Sequence, residues 1–285
     1  MDAVRGVLLP LAILLALTGC SGGGGGGASG AASGSAPPTT ATTALPTATT
    51  TTPKATATTP RANTPTRAAN TPVVVLDPGH NGGNAAAPEA INRQVPAGRG
   101  RTKACNTTGT STDSGYPEHA FTFDVAGRVA RLLSAQGVRV VLTRDTDDGV
   151  GPCVHRRAAI GNEAGADAVV SIHADGAAAD AGGFHVAYSA PPLNEAQGAP
   201  ANRLARALVT SMSAAGFGVS DYLGEGGLSP RDDLAGLNLS RRPAVLVECG
   251  NMRNATEAAA MSSPAGRQRY ASAIAEGVLA YVDAT

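Results

Sequence analysis

Three short apolar runs, each breaking off at an ionisable residue, constrain this chain more than anything else in it. They are VVVLD at 73–77, AVVSIH at 168–173 and AVLVE at 244–248. All three are short and β-branched, which favours strands over buried helices. Strands with no polar alternation are covered on both faces, as happens in a parallel sheet layered by helices. The chain between the runs has helical spacing. Phe121, Val125, Val129, Leu132 and Leu133 recur along a segment that follows Pro117 and stops at Gly137. Further helices are expected over 155–163, 195–212 and 265–282, and further strands over 138–142 and 183–188. The alternation predicts an α/β fold, a single domain with a mostly parallel central sheet flanked by helices.

Such sheets collect ligands at the carboxyl ends of their strands. His80 in LDPGH and His173 in SIHAD follow two of the runs, and Glu248 closes the third. Glu118 opens the helix after the first strand, so it starts from the same edge. Two imidazoles and one carboxylate make a zinc set with one position left open. A further carboxylate can then serve as a general base. The pattern alone does not assign the two glutamates, and His119 is a rival ligand beside Glu118. Each residue also has an ordinary structural use. His80 can cap a turn, Glu118 can complement a helix dipole, and Glu248 can pair with Arg241, Arg242 or Arg253. Asp77 and Asp175 are expected to bond within their own turns, His155 and His185 to be structural, and Arg157 and Asn162 to brace the helix-to-strand connection.

The first 72 residues have a different character. Arg5 and the apolar run at 7–17 read as an export signal over 1–19, too short to span a bilayer comfortably. The run ends in LTGC at 17–20, which is similar to a bacterial lipobox and predicts lipidation of Cys20. An ordinary secretory signal containing a cysteine is the alternative. Residues 20–72 are Gly-rich, then Thr/Pro/Ala-rich, with no acid and three bases, and are expected to be a disordered tether. Residues 73–285 form the domain. Their 21 acids against 18 bases leave no basic footprint, so no nucleic-acid partner is expected. With no Trp and nine Phe plus Tyr, platforms for stacking on sugars are few. No internal repeat is present, and a monomer is expected. Cys105 and Cys153 lie in loop sequence within an exported chain and are expected to form a disulfide, with Cys249 a buried free thiol.

In order and spacing, LDPGHNG (76–82), the Glu118 helix, ADAVVSIHAD (166–175), GGFHVAYS (182–189) and RRPAVLVECGNMRN (241–254) resemble the zinc-dependent N-acetylmuramoyl-L-alanine amidases of the amidase-3 type. The likeness covers nearly all of 73–282. It implies zinc bound by His80, Glu118 and His173, and Glu248 as the catalytic carboxylate. It implies hydrolysis of the amide between muramic acid and L-alanine, in peptidoglycan or its muramyl-peptide fragments, during cell-wall remodelling or turnover. With Cys20 lipidated, the enzyme would sit on the outer face of the bacterial membrane through that anchor; secreted or periplasmic export is the alternative. Two departures stand out. The long 80–118 stretch carries Cys105 and predicts a hairpin or loop narrowing the groove. Residues 190–239 read as one helix and a Gly-rich loop, without the inserted helix of regulated members. Two rivals stay open: a catalytically silent wall-binding lipoprotein, and a zinc peptidase acting inside the stem peptide.

Overall fold

The structure, a computed structural model, describes residues 71–285; the export signal, Cys20 and the tether up to residue 70 lie outside them. The described residues form eight strands: β1 (Val73–Pro78), β2 (Gln94–Gly98), β3 (Arg101–Ala104), β4 (Arg139–Leu142), β5 (Ala168–Asp175), β6 (His185–Ser189), β7 (Leu228–Arg231) and β8 (Ala244–Asn251). The helices are α1 (Pro88–Asn92), α2 (Glu118–Ala135), α3 (Val154–Glu163), α4 (Ala199–Ala214), α5 (Ala235–Asn238), α6 (Ala255–Ser262) and α7 (Pro264–Val282). Six strands form one sheet in the order β4-β1-β5-β8-β6-β7, and β2 and β3 form a separate hairpin. Every pairing in the large sheet is parallel except β6 with β8.

Alternation along each strand divides the sheet into two unequal faces. Val74, Leu76, Val170, Ile172, Val245 and Val247 pack under α2, α4 and α7 in the main core. Opposite them, Val75, Val169, Ala187 and Ala244 meet Leu237 of α5 in a small second cluster, with Ile160 of α3 packed against it. His173 and Glu248 share the parity of Val169 and Ala244, so they belong to this thinly covered face.

Local chemistry explains where the elements depart from expectation. The helix expected over 195–212 is instead a 3-10 turn at Glu195–Gln197 followed by α4, because Gly198 caps and Pro200 occupies the first turn. The Gly-rich stretch before β8 holds β7 and the one-turn α5 as well as loop. Pro230 hides β7 from a propensity reading, but β7 is the sheet's edge strand, where a missing N–H is tolerated. α6 was not expected either; the Asn254 side chain caps it, accepting from the amides of Thr256 and Glu257.

Between His80 and α2 the chain does form a hairpin. Cys105, directly after β3, is joined by a disulfide to Cys153, the residue that caps α3. The far end is held too. Asn238 of α5 donates to Ala97 O at 3.1 Å, and Arg99 Nε in the hairpin turn donates to Asn238 Oδ1 at 3.1 Å. The hairpin is therefore a fixed wall over the thin face. Cys249 is a buried free thiol.

Candidate active site

His80 leaves β1 through a tight turn and has φ +60°, a left-handed conformation that costs a non-glycine residue about 1–3 kcal/mol. Two buried arginines hold that turn by its carbonyls. Arg157 Nη2 donates to His80 O at 2.8 Å and its Nη1 to Pro78 O at 2.6 Å. Arg144 Nε donates to Pro78 O at 3.0 Å and its Nη2 to Gly79 O at 3.2 Å. Gly79 is required for space: a Cβ there would lie 2.2 Å from His173 Cε1.

The turn brings His80 to Glu118 and His173. Glu118 Oε1 lies 3.0 Å from His80 Nε2 and 3.0 Å from His173 Nδ1. One nitrogen or oxygen from each of the three lies within 4.8 Å of the others. The outer nitrogen of His80, Nδ1, faces Thr107 O at 3.1 Å, which fixes the ring. Main-chain amides hold the carboxylate: Thr110 N donates to Oε2 at 2.9 Å and Ala174 N to Oε1 at 3.1 Å. Burial pulls the Glu118 carboxyl upward, but the bonds and charge of His173 and His80 outweigh it and hold it well below the usual range. A buried, ionised carboxylate between two imidazoles is a donor set suited to a divalent cation. His119 turns away and pairs with Asp147 at 2.8 Å, so it takes no part in the cluster.

Glu248 is the Cα partner of His173 across the β5–β8 ladder. Its Oε2 is shut off from solvent and meets no hydrogen-bond partner. Burial first, then the charges of Asp175 and Glu118, push its carboxyl well above the ordinary value, against a weaker opposing pull from Arg231. None of the arginines considered from the sequence forms an ion pair with it among the described residues. All four residues line one cavity of about 420 Å³ that runs along the thin face between the sheet, the hairpin and α5.

The neighbouring acids do not bond within their own turns as expected. Asp77 accepts from Arg157 Nη1 at 2.7 Å, Ser171 Oγ at 2.7 Å and Thr143 Oγ1 at 2.6 Å. Asp175 Oδ2 contacts His185 Nε2 at 3.1 Å and accepts from Tyr222 O–H at 3.0 Å. Arg157 thus braces the end of β1 rather than its own helix-to-strand connection. Asn162 reaches the segment before β8, where Nδ2 donates to Leu239 O at 3.1 Å and Oδ1 accepts from Arg241 N at 2.7 Å. Arg144, Thr107, Gly109 and Tyr222 were not singled out from the sequence. Arg144 had a readable cue, a charge closing the strand over 138–142; a Cβ on Gly109 would lie 2.8 Å from Glu118 Oε2, which no local pattern reveals.

Comparison with known proteins decides the lineage. Residues 74–280 match the N-acetylmuramoyl-L-alanine amidase family Amidase_3. The chain belongs to this family. It is 50% identical over 210 residues to an N-acetylmuramoyl-L-alanine amidase of Mycobacterium tuberculosis, spanning 74% of this chain and 86% of the relative. The crystal structure of the amidase Ami1 from Mycobacterium smegmatis matches the amidase domain at 51% identity and a TM-score of 0.73, covering 75% of this chain and 98% of that one. Apo Ami1 from Mycobacterium abscessus matches at 53% identity and a TM-score of 0.72, over 74% of this chain and 98% of that one.

Proposed function

We propose that this N-acetylmuramoyl-L-alanine amidase works with zinc held by His80, Glu118 and His173, and with Glu248 as its catalytic carboxylate. The enzyme hydrolyses the amide between the lactyl group of muramic acid and L-alanine of peptidoglycan, in cell-wall remodelling. The observation that carries the assignment of residues is the convergence of two imidazoles and a carboxylate on one spot, with an unpartnered carboxylate beside them in the same cavity.

A zinc ion in this set would polarise the amide carbonyl and make water acidic enough to attack near neutral pH. Everything else falls to the chain. Glu248 accepts a proton from the attacking water and returns it to the departing nitrogen of L-alanine. Its unpartnered Oε2 has no competing hydrogen bond to break in that exchange. Main-chain groups of Thr110, Ala174 and Thr107 orient Glu118 and His80 within the cluster.

The test is to incubate the full-length protein with muramyl peptides, with and without a chelator, and to identify products by mass. Release of the L-alanyl peptide that stops with chelator and returns with zinc is expected. Shortened stems would instead mean a peptidase, and no product at full zinc occupancy a binding module.

The substrate lies outside the cytoplasm, and the Cys105–Cys153 disulfide suits an oxidising compartment. No helix among the described residues is long and apolar enough to cross a membrane. We propose that a lipid on Cys20 anchors the chain. Cys20→Ala is then expected to shift the protein from the membrane to the soluble exported fraction, measured by fractionation; unchanged membrane retention would remove the anchor.

A further inference from the structure

The cavity carries one basic group that the catalytic assignment leaves unused. Lys103 is the one lysine after residue 72, and it lies on β3 of the hairpin. It is half-buried and lines the same cavity as His80, Glu118, His173 and Glu248. Its ammonium donates only to the main-chain oxygen of Asp233, at 3.3 Å, and forms no ion pair among the described residues.

The charges around it are already balanced. Asp233 is gripped by Arg231 through two bonds of 2.7 Å, and Asp232 pairs with Arg101 at 3.2 Å. The other cation lining the cavity, Arg157, is committed to Asp77 and to the carbonyls of Pro78, His80 and Pro152. At the catalytic end the lining is acidic, with Glu118, Glu248 and Asp175. With Arg157 committed, Lys103 is the available cation that a ligand carboxylate reaching the hairpin wall of this cavity would meet.

We propose that Lys103 is a specificity residue that binds a free carboxylate of the stem peptide, so that the enzyme prefers acidic stems over their carboxamides. This rests on the amidase reading above and extends it to the substrate's peptide side. A flexible lysine can exchange its bond to Asp233 O for a ligand anion at little cost, since an ammonium has three donors. A charge-assisted hydrogen bond in a partly exposed setting corresponds to a preference of about tenfold.

The experiment uses the full-length protein with two probes. One is N-acetylmuramoyl-L-alanyl-D-isoglutamine, which has one free carboxylate; the other is the same molecule with that carboxylate amidated. Wild type is expected to favour the acid by about tenfold in kcat/KM, through KM, with the preference shrinking as salt is raised. Lys103→Met should bring the ratio close to one, and Lys103→Arg should keep most of it. A Lys103→Met protein that loses rate equally on both probes would show a purely structural lysine and overturn the proposal. Equal cleavage of both probes by wild type would overturn it while leaving the amidase reading intact. Cleavage of neither would remove that reading and this inference with it.

Discussion

Replacing Glu248 with glutamine is expected to lower turnover by about 10²–10⁴-fold while zinc stays bound and the fold stays intact. The expectation comes from the position of the carboxylate. Glu248 sits next to the His80–Glu118–His173 cluster without belonging to it, and its Oε2 has no partner to lose. An amide has the same shape but cannot accept the proton. Removing an ionisable group that burial and like charge disfavour should leave the melting temperature unchanged or slightly higher. His173→Ala should behave differently, because it takes a donor from the cluster; metal and turnover go together. Metal analysis, calorimetry and product release on both variants separate the roles. A Glu248→Gln protein with wild-type rates would end the assignment.

The second large effect is expected far from the reacting bond. Arg157→Met should destabilise the domain by about 3–5 kcal/mol, the cost of breaking a buried ion pair from one side. In a domain of this size that is a fall of roughly 10 °C in melting temperature. Arg157 is buried, and its loss leaves the Asp77 carboxylate without its ion pair and the His80 carbonyl without this donor, while Pro78 O keeps only Arg144. Lysine should not rescue it, since one ammonium cannot reproduce the planar fork. Pairing the change with Asp77→Asn should recover part of the loss.

The same pair gives a pH signature. Burial pulls the Asp77 carboxyl up, but Arg157, Thr143 and Ser171 outweigh it and bring it down to about 2. A depressed acid stabilises the fold fully above its unfolded value, near pH 4, and the contribution fades as pH falls from about 4 to 2. In Arg157→Met the pull of burial is no longer opposed by that charge, so Asp77 takes up its proton earlier. The gap to wild type should therefore narrow as pH falls from 7 toward 4, seen in denaturant titrations at several pH values. A gap independent of pH would mean the arginine acts by packing alone.

How far the sequence could carry these conclusions depended on the range of the interactions involved. The buried strands at 73–76, 168–172 and 244–248 were legible because continuous β-branched runs have few other uses, and their ends pointed to His80, His173 and Glu248. α2 was legible from its apolar spacing, and Glu118 from its place in the first turn. What stayed hidden were contacts between distant segments. Asp77 meets Arg157 80 positions away, and Asp175 meets Tyr222 47 positions away. Local turn chemistry is the reasonable expectation for an Asp beside a turn, and here long-range partners won. β7 and α5 were hidden for another reason: a four-residue strand containing proline and a one-turn helix have too few residues for either period to show.

The unequal covering of the sheet has an evolutionary consequence. The larger apolar core lies on the α2, α4 and α7 side, whereas much of the cavity wall on the other side comes from a one-turn helix and a cross-linked hairpin. Substitutions in α5 or at the hairpin's inner positions can retune which peptides enter without disturbing the layer that keeps the domain folded. Residues such as Arg157, which line the cavity and also brace the end of β1, are the exception and tie the two demands together.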